Sequence, residues 1–558
     1  MARALHCSLA TMEEGCVSQP LLSLCVIARD EDAVLGRCLE SAKAWVGEMI
    51  VVDTGSTDGT VARAESAGAR VIRHAWHDDF SEARNVALAA ARGDFVLVLD
   101  ADEWIEAGPH AASLRALLES GRDEAYTVEL QDRLDGGGSR SYALVRLFRN
   151  RPEHRYVGAI HEQITPAIAA RLRLAEIVPR PSGLVVGHDG YTRLERVARG
   201  KAERNLALLR RRVRDNPEDA AARYFLAREL TPLVGGRAVP GDHLDEALDQ
   251  FEWLSLAGGL PAAIAADAAR LHAAALLARG RTHEASAVLD ARGDAGVACD
   301  LLRADAQMAT PERSLAIATG CFDRETRDRG PFSEPALSGP IARTRAAEAL
   351  MHLGRPGEAR ALCDEALRFP GGGAAPSIVL GAIARNEDDT VAAMRAYVDG
   401  LGRDPADPWA WAAIGELLLA SGDPEQALDP LCRAAELAPG WDTVEEAVTT
   451  ALLLDGRERE ALEAFAERAA LGRPAPEAAM LLAAAAGGDA CPLERLHPGA
   501  ADSVRRVLGR VAAAGRPDLL HRLSLGLRTG VAARSCSVTE ALIKGPVPFI
   551  KASVTEHE

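Results

Sequence analysis

A repeat with a period of 34 residues is the feature that most restricts the fold of this chain. Alanines recur at this interval in the second half, at Ala359, Ala393, Ala427 and Ala461. Two further positions keep the same interval. A small residue fills the first of them and a bulky one the second, in the sets Ala347, Gly381, Gly415, Thr449 and Cys363, Tyr397, Leu431, Phe465. Such a period predicts stacked pairs of antiparallel helices.

The segment WAWAAIGELLLASGDPEQALDPLCRAAELAP, residues 409–439, resembles the tetratricopeptide pattern. Its small residues would let the two helices of a pair touch, its bulky ones would fill the gap to the next pair, and Pro439 would close the second helix. Weaker units surround Ala247 and Ala285. We therefore expect helical repeats over residues 217–530, joined to the first half by a connecting helix at 196–216.

The first half has a different pattern, in which short apolar runs alternate with helical stretches between residues 21 and 105. This alternation predicts a parallel sheet covered by helices on both faces. Four strand-like runs follow without long helices, at 125–130, 141–148, 155–164 and 184–191, and the first two are joined by a predicted hairpin turn at 135–139. We expect one α/β domain over 21–195, between an extension at 1–20 and a tail at 531–558.

Composition restricts the class of partner and the compartment. The chain of 558 residues carries a formal net charge of −17, which would repel a phosphate backbone and argues against a nucleic-acid partner. The ten cysteines are scattered without zinc-ligand spacing and are typical of reduced thiols. We find no signal peptide and no run long enough to span a membrane, so we expect a cytoplasmic protein.

Acidic residues follow several predicted strands, where the ligands of α/β sheets bind. Asp53 follows the second strand, and the run FVLVLDADE ends in Asp100 and Asp102. If this end of the strand is extended, both carboxylates point to one side and would repel unless a cation lies between them. Mg²⁺ or Mn²⁺ carrying a diphosphate would suit them, although an aspartate that caps a turn is the structural alternative.

Four motifs occur together in one order: ARDE at 28–31, VVDTGSTDGT at 51–60, DFSEARNVAL at 79–88 and VLDADE at 98–103. In this order and spacing they resemble the family-two glycosyltransferases. The closer resemblance is to the subgroup in which the catalytic domain precedes tetratricopeptide repeats, which includes the sublancin S-glycosyltransferase. The resemblance extends over roughly residues 21–215. It implies an A-type, Rossmann-like mixed sheet that uses a nucleotide-diphosphate sugar and inverts the anomeric carbon.

The resemblance also implies roles for single residues. Asp53 would accept a hydrogen bond from uracil, and Asp102 would be the main ligand of the metal ion. Arg84 and Asn85, near the start of a helix, would reach the sugar or the phosphates. The base, the ribose and the metal side of the donor would be lined by Ala28, Arg29, Glu31, Asp100 and Ala101.

Inversion requires a base on the face of the sugar opposite the diphosphate. Glu162 in AIHEQI is the preferred candidate and His161 beside it the second, with a salt bridge at the end of a strand as the structural interpretation of Glu162. His188 resembles the late histidine that completes the metal site in many A-type enzymes. A purely structural role is the alternative for a lone histidine such as His188. Asp189 stands where the family more often has an aromatic residue, which leaves the local geometry open. Asp79 and Glu82 have the spacing of a capping box.

These observations predict a metal-dependent inverting glycosyltransferase. It would move a hexose or N-acetylhexosamine from a UDP-sugar to a Cys or Ser side chain of a peptide held by the repeats. A cell-envelope saccharide is the alternative acceptor, and a non-catalytic repeat scaffold is the alternative of another class. The sequence leaves open whether the chain forms a homodimer.

Overall fold

The structure is a computed structural model, and it describes residues 21–121, 123–133, 139–174, 178–188, 201–258, 260–291, 296–322, 324, 337–369, 372–461, 463, 500–516, 518–520 and 523. The chain forms two compact units, one containing the elements up to residue 188 and the other those from residue 201 onward. The extension at 1–20, residues 135–138 of the predicted hairpin turn and the tail at 531–558 lie outside the described residues.

The first unit contains eight strands and five helices within its described part. The strands are β1 Leu22–Ala28, β2 Glu48–Asp53, β3 Arg70–Arg73, β4 Phe95–Asp100, β5 Glu103–Ala107, β6 Ala125–Arg133, β7 Ser139–Arg149 and β8 Arg180–His188. The helices are α1 Asp32–Ala42, α2 Thr60–Ser66, α3 Phe80–Ala90, α4 Ala111–Glu119 and α5 Thr165–Leu172.

The eight strands form one sheet in the order β3-β2-β1-β4-β7-β6-β8-β5. The strands β3, β2, β1 and β4 run parallel, with Ala28 opposite Asp53 and Ile27 opposite Asp100. Strand β7 pairs antiparallel with both β4 and β6. The ends of β2 and β4 therefore lie on either side of the end of β1, at the edge where ligands bind in such sheets.

Helices cover both faces of this sheet because the buried strands are apolar on both sides. Leu22, Leu24 and Val26 of β1 pack in a core with residues of α1, α2 and α4. Cys25 points to the opposite core, which contains residues of α3 and α5. This mixed sheet confirms the predicted A-type architecture.

Three features of the first unit differ from the prediction or were absent from it. The prediction of a strand over residues 155–164 is wrong. These residues form a loop, in which an isolated antiparallel β-bridge joins Val157 and Gln163. The prediction did not include strand β5, which begins at Glu103, the last acid of the run. Nor did it include helix α5, since short apolar runs do not separate strand from helix by their periodicity.

The second unit is helical in its described part apart from one two-stranded hairpin, β9 Leu233–Val234 with β10 Arg237–Ala238. Its helices are α6 Lys201–Asp215, α7 Ala220–Glu229, α8 His243–Ala257, α9 Ala262–Ala278, α10 Thr282–Asp290, α11 Gly296–Ala306, α12 Pro311–Gly320, α13 Pro340–His352, α14 Pro356–Ala366, α15 Ala375–Asn386, α16 Thr390–Arg403, α17 Pro408–Ala420, α18 Pro424–Leu437, α19 Asp442–Leu454 and α20 Ala500–Ala513. Consecutive helices pack on one another.

The positions of the 34-residue repeat occupy the contact between the two helices of each pair. A Cβ atom added to Gly381 would overlap the ring of Tyr397, and one added to Gly415 would overlap Leu431. The repeated alanines, Ala359, Ala393, Ala427 and Ala461, are all fully buried. Small and bulky residues therefore complement each other as the sequence predicts, and Phe465 lies outside the described residues.

Among the described residues, no helix combines the length and the apolar character that crossing a membrane requires. The cysteines that the structure describes are free thiols, namely Cys25, Cys38, Cys299, Cys321, Cys363 and Cys432.

Candidate active site

Two loops at the carboxyl edge of the sheet are joined by hydrogen bonds. The Glu31 N–H donates to Thr60 Oγ1 at 2.7 Å, and Asp30 accepts a hydrogen bond of 2.7 Å from the Thr57 N–H. Asp53 is buried, and its Oδ1 accepts a hydrogen bond from the Ser56 N–H at 3.1 Å. The loops after β1 and β2 thus form one wall, with Ala28 buried and Arg29 exposed.

Asp100 at the end of β4 is paired with two arginines. Arg84 Nη2 lies 2.6 Å from its Oδ1, and Arg146 Nη2 lies 3.0 Å from its Oδ2. Burial raises the pKa of Asp100, but Arg146 and Arg84 outweigh it and hold this pKa below its usual range. The positive charges next to this carboxylate are therefore guanidinium groups from α3 and β7.

Glu103, at the start of β5, contacts both the backbone of Asp100 and the side chain of Arg146. Its Oε2 accepts a hydrogen bond of 2.8 Å from the Asp100 N–H, and its Oε1 lies 3.3 Å from Arg146 Nη2. Burial, with the nearby Asp100 charge, raises the pKa of Glu103 to about 7, although Arg146 opposes the shift. Glu103 therefore holds the backbone of Asp100, and Arg146 contacts the carboxylates of both residues.

Asp102 has a different partner. Residues 101 and 102 form a turn, so the alternation of an extended strand does not apply to them. Asp102 Oδ2 lies 3.6 Å from His188 Nε2 at the end of β8, where His188 is opposite Glu103 in the strand register. Ala101 between the two aspartates is buried. Asp102 thus lies next to His188, whereas Asp100 is paired with Arg84 and Arg146.

Arg84 joins the acidic edge to the loop that contains the base candidates. Its Nε donates to Glu162 Oε1, while its Nη2 binds Asp100. Arg84 is buried, and its guanidinium lies 5.5 Å from the ring centre of Tyr156. His161 has a φ of 51°, a left-handed conformation that is unfavourable for a residue with a side chain. The guanidinium group of Arg84 therefore bridges the carboxylates of Glu162 and Asp100.

Asn85 makes two hydrogen bonds to the backbone of Tyr156. Its Nδ2 donates to the Tyr156 carbonyl, and its Oδ1 accepts from the Tyr156 N–H, each at 2.9 Å. These bonds hold the loop of Glu162 against α3. The Asp79 carboxylate caps α3 by accepting from the Glu82 N–H at 3.0 Å, whereas the Glu82 carboxylate lies next to His77 rather than closing a capping box.

The sequence prediction missed Glu103, Arg146 and Tyr156. Glu103 belongs to the acidic run itself, but the sequence does not show that its side chain is buried beside Asp100. Arg146 lies in β7, which pairs antiparallel with β4. Only that pairing between distant strands brings an arginine of the second half of the domain to Asp100, and no local pattern marks it.

The N-terminal unit has the mixed sheet of the A-type glycosyltransferase fold, with the wall formed by the two loops and the acidic cluster at the carboxyl edge of that sheet. Residues 23–173 match the family model described as glycosyl transferase family 2. This segment is therefore a family-two glycosyltransferase domain, followed here by tetratricopeptide-like helical pairs.

Curated relatives are similar to this chain over part of their length. A TPR repeat-containing protein of Synechococcus elongatus is 42% identical over 223 residues, which cover 38% of this chain and 52% of the relative. The SPbeta prophage-derived glycosyltransferase SunS of Bacillus subtilis is 28% identical over 245 residues, covering 42% of this chain and 53% of SunS. The chain thus spans about half the length of the curated relatives it matches.

One similar solved structure is glucosyl-3-phosphoglycerate synthase from Mycobacterium tuberculosis in complex with Mn²⁺ and uridine-diphosphate-glucose. It is 28% identical over a segment that covers 21% of this chain and 44% of that protein, with a TM-score of 0.17. A similarity of this size carries no weight in the assignment.

Proposed function

We propose that the protein is a metal-dependent, inverting glycosyltransferase that moves a hexose or N-acetylhexosamine from a UDP-sugar to a Cys or Ser side chain of a peptide. The observation that supports this most is the cluster of Asp100, Asp102, Arg84 and Glu162 at the end of β4, beside the wall that contains Asp53. In this proposal the wall receives the nucleoside, with Asp53 next to uracil and Arg29 and Glu31 beside the base and ribose.

The residues fit a hard divalent cation. Asp102 Oδ2 and His188 Nε2 lie 3.6 Å apart, close to the ~3 Å between neighbouring ligand atoms when each binds one ion at ~2.1 Å. Asp102 and His188 would hold Mg²⁺ or Mn²⁺. The two oxygens of Asp100 are engaged by arginines, so in this proposal Asp100 acts mainly by orienting those arginines. When bound, the metal ion would neutralise the charge of the departing diphosphate.

Arg84 would be the group of this chain that stabilises the reacting sugar and phosphates. Asp100 and Glu162 hold its guanidinium from two directions, so the group is oriented before the donor binds. Asn85 would contribute through the loop that it holds, in addition to the contact with sugar or phosphate that the family resemblance implies.

Glu162 is the proposed general base. Arg84 engages its Oε1, and in this proposal Oε2 takes the proton of the acceptor thiol or hydroxyl. His161, adjacent in the chain and held in a left-handed conformation, is the second candidate. A strained backbone next to a reacting group is typical of functional sites.

The peptide acceptor is assigned to the helical repeats. This part of the proposal is supported by the layout of the chain, a family-two domain followed by tetratricopeptide-like pairs, and by the relatives that share a part of it. Stacked helical pairs form extended surfaces suited to binding another chain.

The proposal is tested with the full-length protein, a panel of UDP-glucose, UDP-N-acetylglucosamine and UDP-galactose, and Mn²⁺, Mg²⁺ or a chelator. Cys- and Ser-containing peptides serve as acceptors, and mass spectrometry reads the product. We expect a hexose or N-acetylhexosamine increment on one side chain in the presence of metal. Transfer to a saccharide alone would replace the peptide acceptor, and no turnover of any donor would favour a scaffold.

Substitution of Asp102 gives the first testable prediction. We expect Asp102→Asn to lower metal-dependent donor turnover about 100-fold or more, because the amide keeps the size of the carboxylate but loses its charge. Asp94→Asn, at an exposed position before β4, is the matched control and should leave turnover unchanged. Unchanged turnover in Asp102→Asn would contradict the metal site.

A further inference from the structure

A second group of potential metal ligands lies between the end of β3 and the start of α3. His74 Nε2 lies 3.3 Å from Glu82 Oε1, and His77 Nδ1 lies 3.0 Å from the same oxygen. All three ligand atoms are within 4.8 Å of one another. His74 is largely covered, while His77 and Glu82 remain accessible to solvent.

This cluster is separate from the proposed donor site. Glu82 and Arg84 are two residues apart on α3, so their side chains leave the helix about 200° apart. Arg84 points to Asp100 and Glu162, and Glu82 points to the two histidines. A metal bound at Glu82 would therefore use none of the ligands assigned to the donor.

We propose that His74, His77 and Glu82 form a binding site for Zn²⁺ or a similar borderline divalent metal ion. Two imidazoles and one carboxylate are a common ligand set for zinc with a water molecule in the fourth position. The observed distances of 3.0 and 3.3 Å are close to the ~3.4 Å between ligand atoms bound at ~2.1 Å in tetrahedral geometry.

The site would fix a segment that bears on catalysis. The His74 N–H donates to the Asp53 carbonyl at 2.9 Å, which ties the loop to the proposed nucleoside wall. The cap of α3, Asp79, lies between His77 and Glu82 in the chain. A metal ion bound by residues 74, 77 and 82 would therefore connect the end of β3 to the first turn of α3, the helix that carries Arg84. The role of this ion would be structural.

The test is titration of the chelator-treated full-length protein with Zn²⁺ alone, in competition with a chromophoric indicator. We expect one site whose affinity falls by at least about tenfold in His74→Ala and in His77→Ala, since loss of even an outer-shell partner costs that much. His110→Ala, at an exposed position outside the cluster, is the matched control. Asp102→Asn/His188→Ala removes the proposed donor-site ligands and should keep the site.

Two further measurements detect the bound metal ion without an activity assay, and they distinguish loss of the site from loss of folding. Zn²⁺ should raise the melting temperature of the wild type and of His110→Ala but not of His77→Ala, because it binds only the folded state. Bound Co²⁺ should show d–d bands without a thiolate charge-transfer band. The proposal is overturned if both single histidine variants keep the affinity, if only Asp102→Asn/His188→Ala loses it, or if a thiolate band appears.

Discussion

At the scale of single residues, the two aspartates of the acidic run have different partners. Asp100 is paired with Arg84 and Arg146, and Asp102 lies beside His188. The sequence argument treated both aspartates as ligands of one cation. The structure separates them, because the chain turns between them and each meets a different neighbour. The positive partners of Asp100 are therefore built into the protein, and the proposed metal ion would be held at Asp102.

Arg84 tests this arrangement. We expect Arg84→Lys to lower donor turnover about 100-fold, because an ammonium group cannot bind Asp100 and Glu162 at once through a planar fork. The free energy of unfolding should fall by about 2 kcal/mol, the value of a hydrogen bond to a charged group. Kinetics and urea unfolding measure the two effects. Arg115→Lys, an exposed pair with Glu119 on α4, should change neither, and equal effects in both variants would contradict a special role for Arg84.

At the scale of helices, close packing within each repeat depends on glycine. Gly415→Ala should destabilise the second unit by about 1–3 kcal/mol, because the new methyl group overlaps Leu431 of the partner helix. Gly402→Ala, on α16 with open space around it, should stabilise by up to about 1 kcal/mol through helix propensity. Urea unfolding measures both values. Destabilisation of the same size in both variants would contradict a specific role for the close contact with Leu431.

Helix α8 begins with a histidine whose charge the fold disfavours. Burial and then Arg279 lower the pKa of His243 to about 4. At pH 7.5 the residue is neutral in both states, and as pH falls from about 6.5 to about 4 the unfolded chain binds a proton that the folded chain does not. The free energy of unfolding should therefore fall in this window, by up to about 3 kcal/mol.

The comparison is with His243→Gln, which keeps a polar side chain but does not titrate. We expect this variant to lose less stability than the wild type between pH 7 and pH 4.5, as measured by urea unfolding followed by circular dichroism. Identical pH dependence of the two proteins would show that the charge of His243 does not enter this loss.

At the scale of the whole molecule, the chain forms two compact units. We expect two unfolding transitions in differential scanning calorimetry. UDP with Mn²⁺ should raise the temperature of one of them only, the transition weakened by Arg84→Lys, because a ligand stabilises the unit that binds it. The transition weakened by Gly415→Ala should stay in place. A single transition, or a shift of both, would show that the two units unfold together.

Properties that repeat along the chain were determined by the sequence alone. The 34-residue period sets which residues of the helical pairs touch, and the alternation of apolar runs and helices sets the parallel half of the sheet. These are local regularities with a fixed geometric meaning. Tertiary structure alone decided that Arg146 meets Asp100, that Glu103 is buried, and that residues 155–164 form a loop rather than a strand. Such contacts join segments distant in the chain, and their energies depend on burial and on strand order, which local patterns do not record.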